Sequence, residues 1–183
     1  MSRRLVVTQN ISVDGRIELL DDWFQPSPVD EDVADLQEEM QRQGSETGAM
    51  LLGRRTFEDF RGYWPDHTDE PAGAELERLQ KYVVSTTIGD TGWVNSTVLS
   101  GDPVDVTTRL VAAGEGDLVV TGSITLTHAL FAAGIVDEVR LFVYPAIQGR
   151  GRGLVPEGTR LDLSLLEARA FRGGVTLLRY AVA

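Results

Sequence analysis

The chain has no cysteine and only two histidines. Disulfides, thiolate nucleophiles and every cysteine-containing zinc site are therefore excluded, and any redox chemistry has to come from a bound cofactor. A cysteine-free chain suits a reducing compartment, so a cytoplasmic location is expected. Basic runs are also missing: with a net charge of −11 the chain repels the phosphate field of nucleic acids and of anionic membranes, and neither is expected as a partner. No segment approaches the ~20 consecutive apolar residues of a membrane span. The apolar stretch within "MSRRLVVTQNISVDG" is too short and too polar for a signal peptide, so a soluble, unprocessed protein is expected.

What is present is enough for one core. At 183 residues and 42% hydrophobic, the chain reads as a single domain over residues 1–183. "RLVVTQNISV" (4–13) is a β-rich run leading into the turn signal "DG", and "DEDVADLQEEMQRQ" (30–43) sets Val33, Leu36 and Met40 at helical spacing. The same strand-to-helix step recurs in "AMLLG" followed by "RRTFEDFRGYW", and "AGAELERLQ" (72–80) predicts a short helix before the strand "KYVVSTT" (81–87). After "STVLS" (96–100), Asp102 and Pro103 open a helix as N-cap and first-turn residue; the buried-strand run "DLVVTG" and the helix "SITLTHALFAAG" follow. Gly114 and Gly134 fall where helices end. This alternation predicts a mostly parallel α/β sheet flanked by helices. The last third carries three strand-like runs, "DEVRLFVYPAIQGRG", "LDLSLLEARAF" and "GVTLLRYAV", with no helix between them, which requires antiparallel pairing at that end. "PDHTDEPAG" (65–73) reads as an acidic loop, and the tryptophans together with Phe57 and Phe60 read as core.

Ligands of parallel sheets bind beyond the carboxyl ends of the strands, where helix N-termini offer free N–H groups. Gly53, Arg54, Arg55 and Thr56 stand at one such junction, with guanidinium forks suited to phosphate oxygens. The alternative is that these arginines are solvated or paired with Glu58 and Asp59. Gly122, Ser123, Ile124 and Thr125 form a second junction, and Ser85 with Thr86 ends a third strand in hydroxyls that either bind phosphate or merely close a turn. Three phosphate-compatible strand ends suggest a nucleotide with several phosphates. His67 and His128 lack a second ligand at metal spacing, so no metal site is expected, and Ser123 has neither a G-x-S-x-G context nor a placed base.

The series "SVDGRI", "LLGRRTFE", "KYVVSTT" and "VTGSITLTHALFAAGIVDEVRLFVYPAIQGRG" resembles the dihydrofolate reductase-like superfamily. Within it, the chain is most similar to the reductase domain at the C-terminus of the bifunctional riboflavin-biosynthesis deaminase/reductase and its stand-alone relatives. The resemblance implies a sheet of about eight strands, mostly parallel with an antiparallel C-terminal end. It also implies NADPH as cofactor, a homodimer, and hydride transfer to a small polar substrate such as a phosphoribosylamino-pyrimidine. By that resemblance Arg54 faces the 2′-phosphate of the adenosine ribose, flanked by Ser85 and Thr86. Gly53, Arg55 and Thr56, with Gly122, Ser123, Ile124 and Thr125, approach the pyrophosphate, and Asn10 and Ile17 hold the nicotinamide carboxamide. Thr121 stands where dihydrofolate reductases carry a first glycine, so no cis peptide is expected there.

On the substrate side, Asp35 sits in the frame of a pterin-holding carboxylate, but Glu38 and Glu39 replace the large apolar residues that should follow, which argues against a pterin. Asp14 is either a substrate or proton-relay group or a turn residue, and Arg150 and Arg152 either receive a substrate phosphate or lie in a solvated turn. The H-x-E and P-C-x-x-C deaminase signature is absent. A nucleotide-binding module without turnover is the competing reading.

Overall fold

The computed structural model describes residues 3–21, 23 and 33–183. Eight strands form one sheet: β1 (Leu5–Ser12), β2 (Thr47–Gly53), β3 (Gln80–Val84), β4 (Ser96–Leu99), β5 (Asp117–Thr121), β6 (Glu138–Tyr144), β7 (Leu163–Ala170) and β8 (Thr176–Val182). Five α-helices, α1 (Ala34–Glu46), α2 (Arg54–Arg61), α3 (Pro71–Arg78), α4 (Pro103–Ala113) and α5 (Ile124–Ala132), and a 3-10 turn at Trp64–Asp66 complete the element order.

The strand order is β4-β3-β2-β5-β1-β6-β8-β7. The first six strands in that order are parallel, and β8 pairs antiparallel with both β6 and β7. This is the predicted architecture. Parallel strands need both faces covered, which explains why Ala49 to Leu52 and Leu118 to Val120 are buried without alternation. One face packs Leu5, Val7, Leu51, Val120, Leu130 and Phe131. The other holds Met50, Leu52, Phe57 and Val83 at one end and Leu36, Phe142, Tyr144 and Phe171 at the other.

Local signals account for several boundaries. Asp102 Oδ1 accepts from the backbone N–H of Val104 at 2.9 Å and of Asp105 at 3.1 Å, capping α4 as its sequence predicts. Gly134 follows α5 with φ +65°, the left-handed conformation that ends a helix, whereas Gly114 ends α4 in extended backbone. The predicted loop at 65–73 is shorter than expected, because Pro71 starts α3 and the backbone carbonyl of His67 closes on Gly73, where a Cβ would meet it. The predicted 81–87 strand stops at Val84, leaving Ser85 and Thr86 beyond its carboxyl end. The 30–43 helix is described from Ala34, and residues 30–32 lie outside the described residues. Within α1 it is Leu36, Glu39 and Gln43 that are buried, while Met40 is exposed.

At the amino ends of β1, β5 and β6 lies a buried ionic network. Arg140, 1% exposed, donates to Glu138 and Asp117 at 2.8 Å each, Arg4 donates to both of these carboxylates, and Arg179 donates to Glu138. Burial pushes the Glu138 carboxyl up, but hydrogen bonds from Arg179 and Arg140 outweigh it and hold it below its ordinary value.

Candidate active site

A cleft of ≈ 1370 Å³ opens at the carboxyl ends of β1, β2 and β5. It is lined by Asn10 and Ile17, by Gly53 to Thr56, and by Gly122 to Thr125, so ten of the sequence-predicted cofactor residues share one wall system. Two helix N-termini meet there. Neither Gly53, the N-cap of α2, nor Ser123, the N-cap of α5, caps its own helix through a side chain. The first N–H groups of both helices therefore have no intrahelical acceptor, and the helix dipoles add positive potential at the same place.

Ser123 locks the two ends together. Its hydroxyl accepts from the Gly53 N–H at 2.9 Å, and its own N–H donates to Thr56 Oγ1 at 2.8 Å. This geometry needs positive φ at two consecutive residues, +54° at Gly122 and +46° at Ser123. Glycine takes that conformation freely, whereas serine stores strain that the two hydrogen bonds offset. The peptide is further fixed because Gln9 Nε2 donates to the Gly122 carbonyl at 2.7 Å. A Cβ on Gly122 would sit 3.0 Å from Thr56 Oγ1, so the glycine also permits the close approach of the two loops. No cis peptide bond occurs among the described residues, in accord with Thr121 preceding Gly122.

Arg54 lines the cleft and pairs with Glu58 at 3.0 Å on the exposed side of α2. Arg55 makes no ion pair among the described residues, and Arg152 pairs with Glu18 at 2.7 Å. The Arg152 hydrogen bond, with a smaller contribution from Arg55, holds the Glu18 carboxyl below its ordinary value, so these three charges lie together. Ile17 is buried, and its N–H donates to the Arg152 carbonyl at 3.0 Å.

Other candidates stand apart from the cleft. The Ser85 hydroxyl accepts from the N–H groups of Thr87 and Ile88, the turn-closing arrangement, and neither Ser85 nor Thr86 lines the cleft. Asp14 and Asp35, the candidates on the substrate side, are both engaged in bonds to backbone N–H groups. Asp14 accepts from the Ser12 hydroxyl and from the N–H groups of Gln148 and Gly149, which hold its carboxyl well below the carboxylate range and make it a clamp between two loops. Asp35 accepts from the N–H groups of Arg172 and Leu36, which also lower it, and neither aspartate lines the cleft. Arg150 lies outside the cleft, exposed and paired with Asp21 at 2.6 Å. His128 Nε2 lies 2.9 Å from the Gly153 carbonyl, and His67 stacks on Tyr63. Among the described residues no three histidine, aspartate or glutamate side chains gather as a metal site.

Two features escaped the sequence reading. Gln9 is buried in the strand as an anchor for Gly122; its only sequence signal is a polar residue between Val7 and Ile11 on one strand face. Phe57 is fully buried as expected, and Phe60 and Trp64, partly buried against the core cluster around Phe57 and Trp93 as expected, also line the cleft with Tyr63. Tyr144 closes the far end, where burial pushes its phenol up to about 12.

The sheet order and the cleft at its carboxyl edge define an α/β protein with a mixed eight-stranded sheet and a ligand cleft beyond the strand ends. The profile of the RibD C-terminal domain family matches residues 3–177, and the chain belongs to that family. The uncharacterized protein YyaP of Bacillus subtilis (strain 168) is 26% identical over 97% of this chain and 94% of its own length. Among solved structures, a putative riboflavin biosynthesis protein from Shewanella sp. PV-4 superposes with a TM-score of 0.73 at 20% identity, over 100% of this chain and 99% of that one. A pyrimidine reductase-like protein from Corynebacterium diphtheriae gives 0.62 at 14% identity, over 99% and 92% of the two chains. The Thermotoga maritima diaminohydroxyphosphoribosylaminopyrimidine deaminase/5-amino-6-(5-phosphoribosylamino)uracil reductase gives 0.63 at 12% identity, and this chain spans 57% of its length.

Proposed function

We propose that the protein is an NADPH-dependent reductase that transfers hydride to a small-molecule acceptor held in the same cleft. The observation that carries this reading is the pair of uncapped helix N-termini locked through Ser123 and flanked by Arg54 and Arg55. Membership of the RibD C-terminal domain family supports it. In an acidic chain, this concentration of donors and positive charge serves a polyphosphate better than any other ligand class.

The residues fit the dinucleotide. Gly122 to Thr125 and Thr56 would receive its pyrophosphate on backbone N–H groups and hydroxyls, and Gly122, lacking a Cβ, leaves room for close approach. Arg54 would bind the 2′-phosphate by exchanging Glu58 for it. That exchange is favourable because an exposed i,i+4 pair contributes only about 0.2–0.5 kcal/mol, against about 1.5–3 for a hydrogen bond to a charged group. Asn10 and Ile17, at the end of β1 and after it, would align the nicotinamide. When bound, NADPH supplies the hydride; the protein supplies orientation and a walled cleft.

Titration of NADPH and NADH, followed by tryptophan fluorescence or calorimetry, tests the reading. Tighter binding of NADPH is expected, and absence of dinucleotide binding would overturn it. Oxidation of NADPH in the presence of a ring acceptor separates a reductase from a nucleotide-binding module.

A further inference from the structure

The cleft divides by charge along α2. Arg54 and Arg55 lie in the first turn of that helix, while Phe60 in its last turn and Tyr63 and Trp64 just beyond it line the opposite arm, ~9 Å further along the axis. The only other cation lining the cleft among the described residues, Arg152, sits with Arg55 around Glu18. All three positive charges thus belong to the arm assigned to the dinucleotide.

The other arm is aromatic and acidic. Phe60, Tyr63, Trp64, Met40, Tyr144 and Phe171 form its walls, and its charged lining consists of Asp59 and Glu70. Trp64 stands edge-on to Phe60 and to Tyr63, and Tyr63, nearly half exposed, is backed by the His67 ring at 3.8 Å between centroids. This is an aromatic shelf at the cleft whose outermost ring, Tyr63, is supported from behind. The arginines flanking Phe171 do not line the arm: Arg169 pairs with Glu39 at 3.2 Å and Arg172 with Asp35 at 3.6 Å.

Beneath α1 and α3 lies a chamber of ≈ 370 Å³ that shares Asn10, Gln37, Met40 and Glu70 with the cleft. Its one cation, Arg140, is 1% exposed and held by Asp117 and Glu138. Burial pushes the Glu75 carboxyl of this chamber up, so the chamber disfavours negative charge.

Resting on the reductase reading, we infer that the acceptor arm takes a planar ring compound bearing no phosphate or other anionic group. A phosphate ester placed there would face Asp59 and Glu70 with no cation to offset its desolvation. A flat ring can stack on one of Tyr63 and Trp64 and meet the other edge to face, since the two rings are perpendicular.

Matched probes, 1-naphthol and 1-naphthyl phosphate, test this by calorimetry on the full chain saturated with NADP+. Binding of 1-naphthol at least about tenfold tighter than its phosphate ester is expected, a gap of the size that one unpaired buried charge produces. Tyr63→Ala, at an exposed position, should weaken 1-naphthol several-fold and leave NADP+ affinity unchanged. Glu70→Lys should narrow the gap by strengthening the phosphate ester. Equal or tighter binding of the ester by the wild type, or no binding of either ring, overturns the inference. The NADP+ titration decides the dinucleotide site and NADPH oxidation decides turnover, both independently of the ring pair. The ring pair is also titrated without dinucleotide into the Arg54→Ala, Arg55→Ala double variant, where the same preference is expected and its loss counts against the inference.

Discussion

The backbone N–H of Ser123 donates to Oγ1 of Thr56 at 2.8 Å, joining the first turn of one helix to the N-cap of another. Thr56→Val removes the acceptor and leaves a half-buried N–H unpaired, at a cost of about 1–3 kcal/mol. Thr56→Ser keeps it and should retain stability. Gly122→Val adds a β-branched residue at φ +54° with its Cβ 3.0 Å from Thr56 Oγ1, so it should lower the thermal midpoint and weaken NADPH by about tenfold or more. Thermal melts and dinucleotide titration measure both effects. Undiminished NADPH affinity in Gly122→Val would mean that the loop is a turn and not a phosphate cradle.

Cofactor choice is expected to rest on Arg54. Arg54→Ala should erase most of the preference for NADPH, a loss of about one to two decades in affinity, and leave NADH nearly unchanged because NADH has no 2′-phosphate. Arg55→Ala should weaken both dinucleotides if it serves the shared pyrophosphate. Ser85→Ala should do less than Arg54→Ala, since the Ser85 hydroxyl already accepts two backbone N–H groups in its own turn. Parallel titrations at fixed ionic strength distinguish these outcomes, and equal losses of NADH and NADPH in Arg54→Ala would refute the assignment.

Lys81 is fully buried in β3, its Nζ donating to the carbonyls of Leu76 and Leu79 and lying 4.3 Å from the centroid of the Trp93 ring. Burial lowers its pKa to about 8, with Glu77 pulling the other way. Between about pH 8 and the unfolded value near 10.5 the unfolded chain binds more protons here than the folded one. The contribution of Lys81 to stability therefore rises with pH across that window and is smaller below it. Relative to Lys81→Met, the wild type should gain about 1–3 kcal/mol between pH 7.5 and 10.5 in urea unfolding. A flat difference between the two proteins would refute the shift.

The edge strand β7 bears Leu163, Leu165 and Leu166, all exposed, and its register shifts between Leu165 and Glu167. An apolar edge of this kind invites pairing, and a second copy of the chain is the proposed cover. Light scattering at micromolar concentration should give a dimer mass for the wild type and a monomer mass for the Leu165→Lys, Leu166→Lys double variant. A monomeric wild type would remove the proposal.

The parallel sheet and its antiparallel end were legible because apolar runs such as "DLVVTG" leave few alternatives and three consecutive strands without helices permit only antiparallel pairing. The wall of the cleft was legible for a related reason: glycine, hydroxyl and arginine residues directly after a buried strand have one place to be, the carboxyl edge. What the sequence left open depends on distant neighbours. Asp14 and Asp35 are clamps because N–H groups more than 130 residues away point at them. Phe60 and Trp64 pack against the core as their spacing suggests, and their second role, lining the cleft, depends on elements distant in sequence that complete its walls.

By itself the sequence determined which segments become strands and helices and which glycine, hydroxyl and arginine residues stand at the strand ends, since hydrophobic periodicity, capping residues and strand-end glycines act over a few positions. The tertiary structure alone decided how the two helix N-termini interlock through Ser123, which carboxylates are spent on loop closure, and how the cleft divides into a basic and an aromatic arm. Those outcomes depend on contacts between elements as much as 70 or more residues apart, such as Gly53 with Ser123 and Asp14 with Gln148. No local pattern encodes such pairings, because their energy arises only when packing brings the partners within hydrogen-bond reach and takes them out of water.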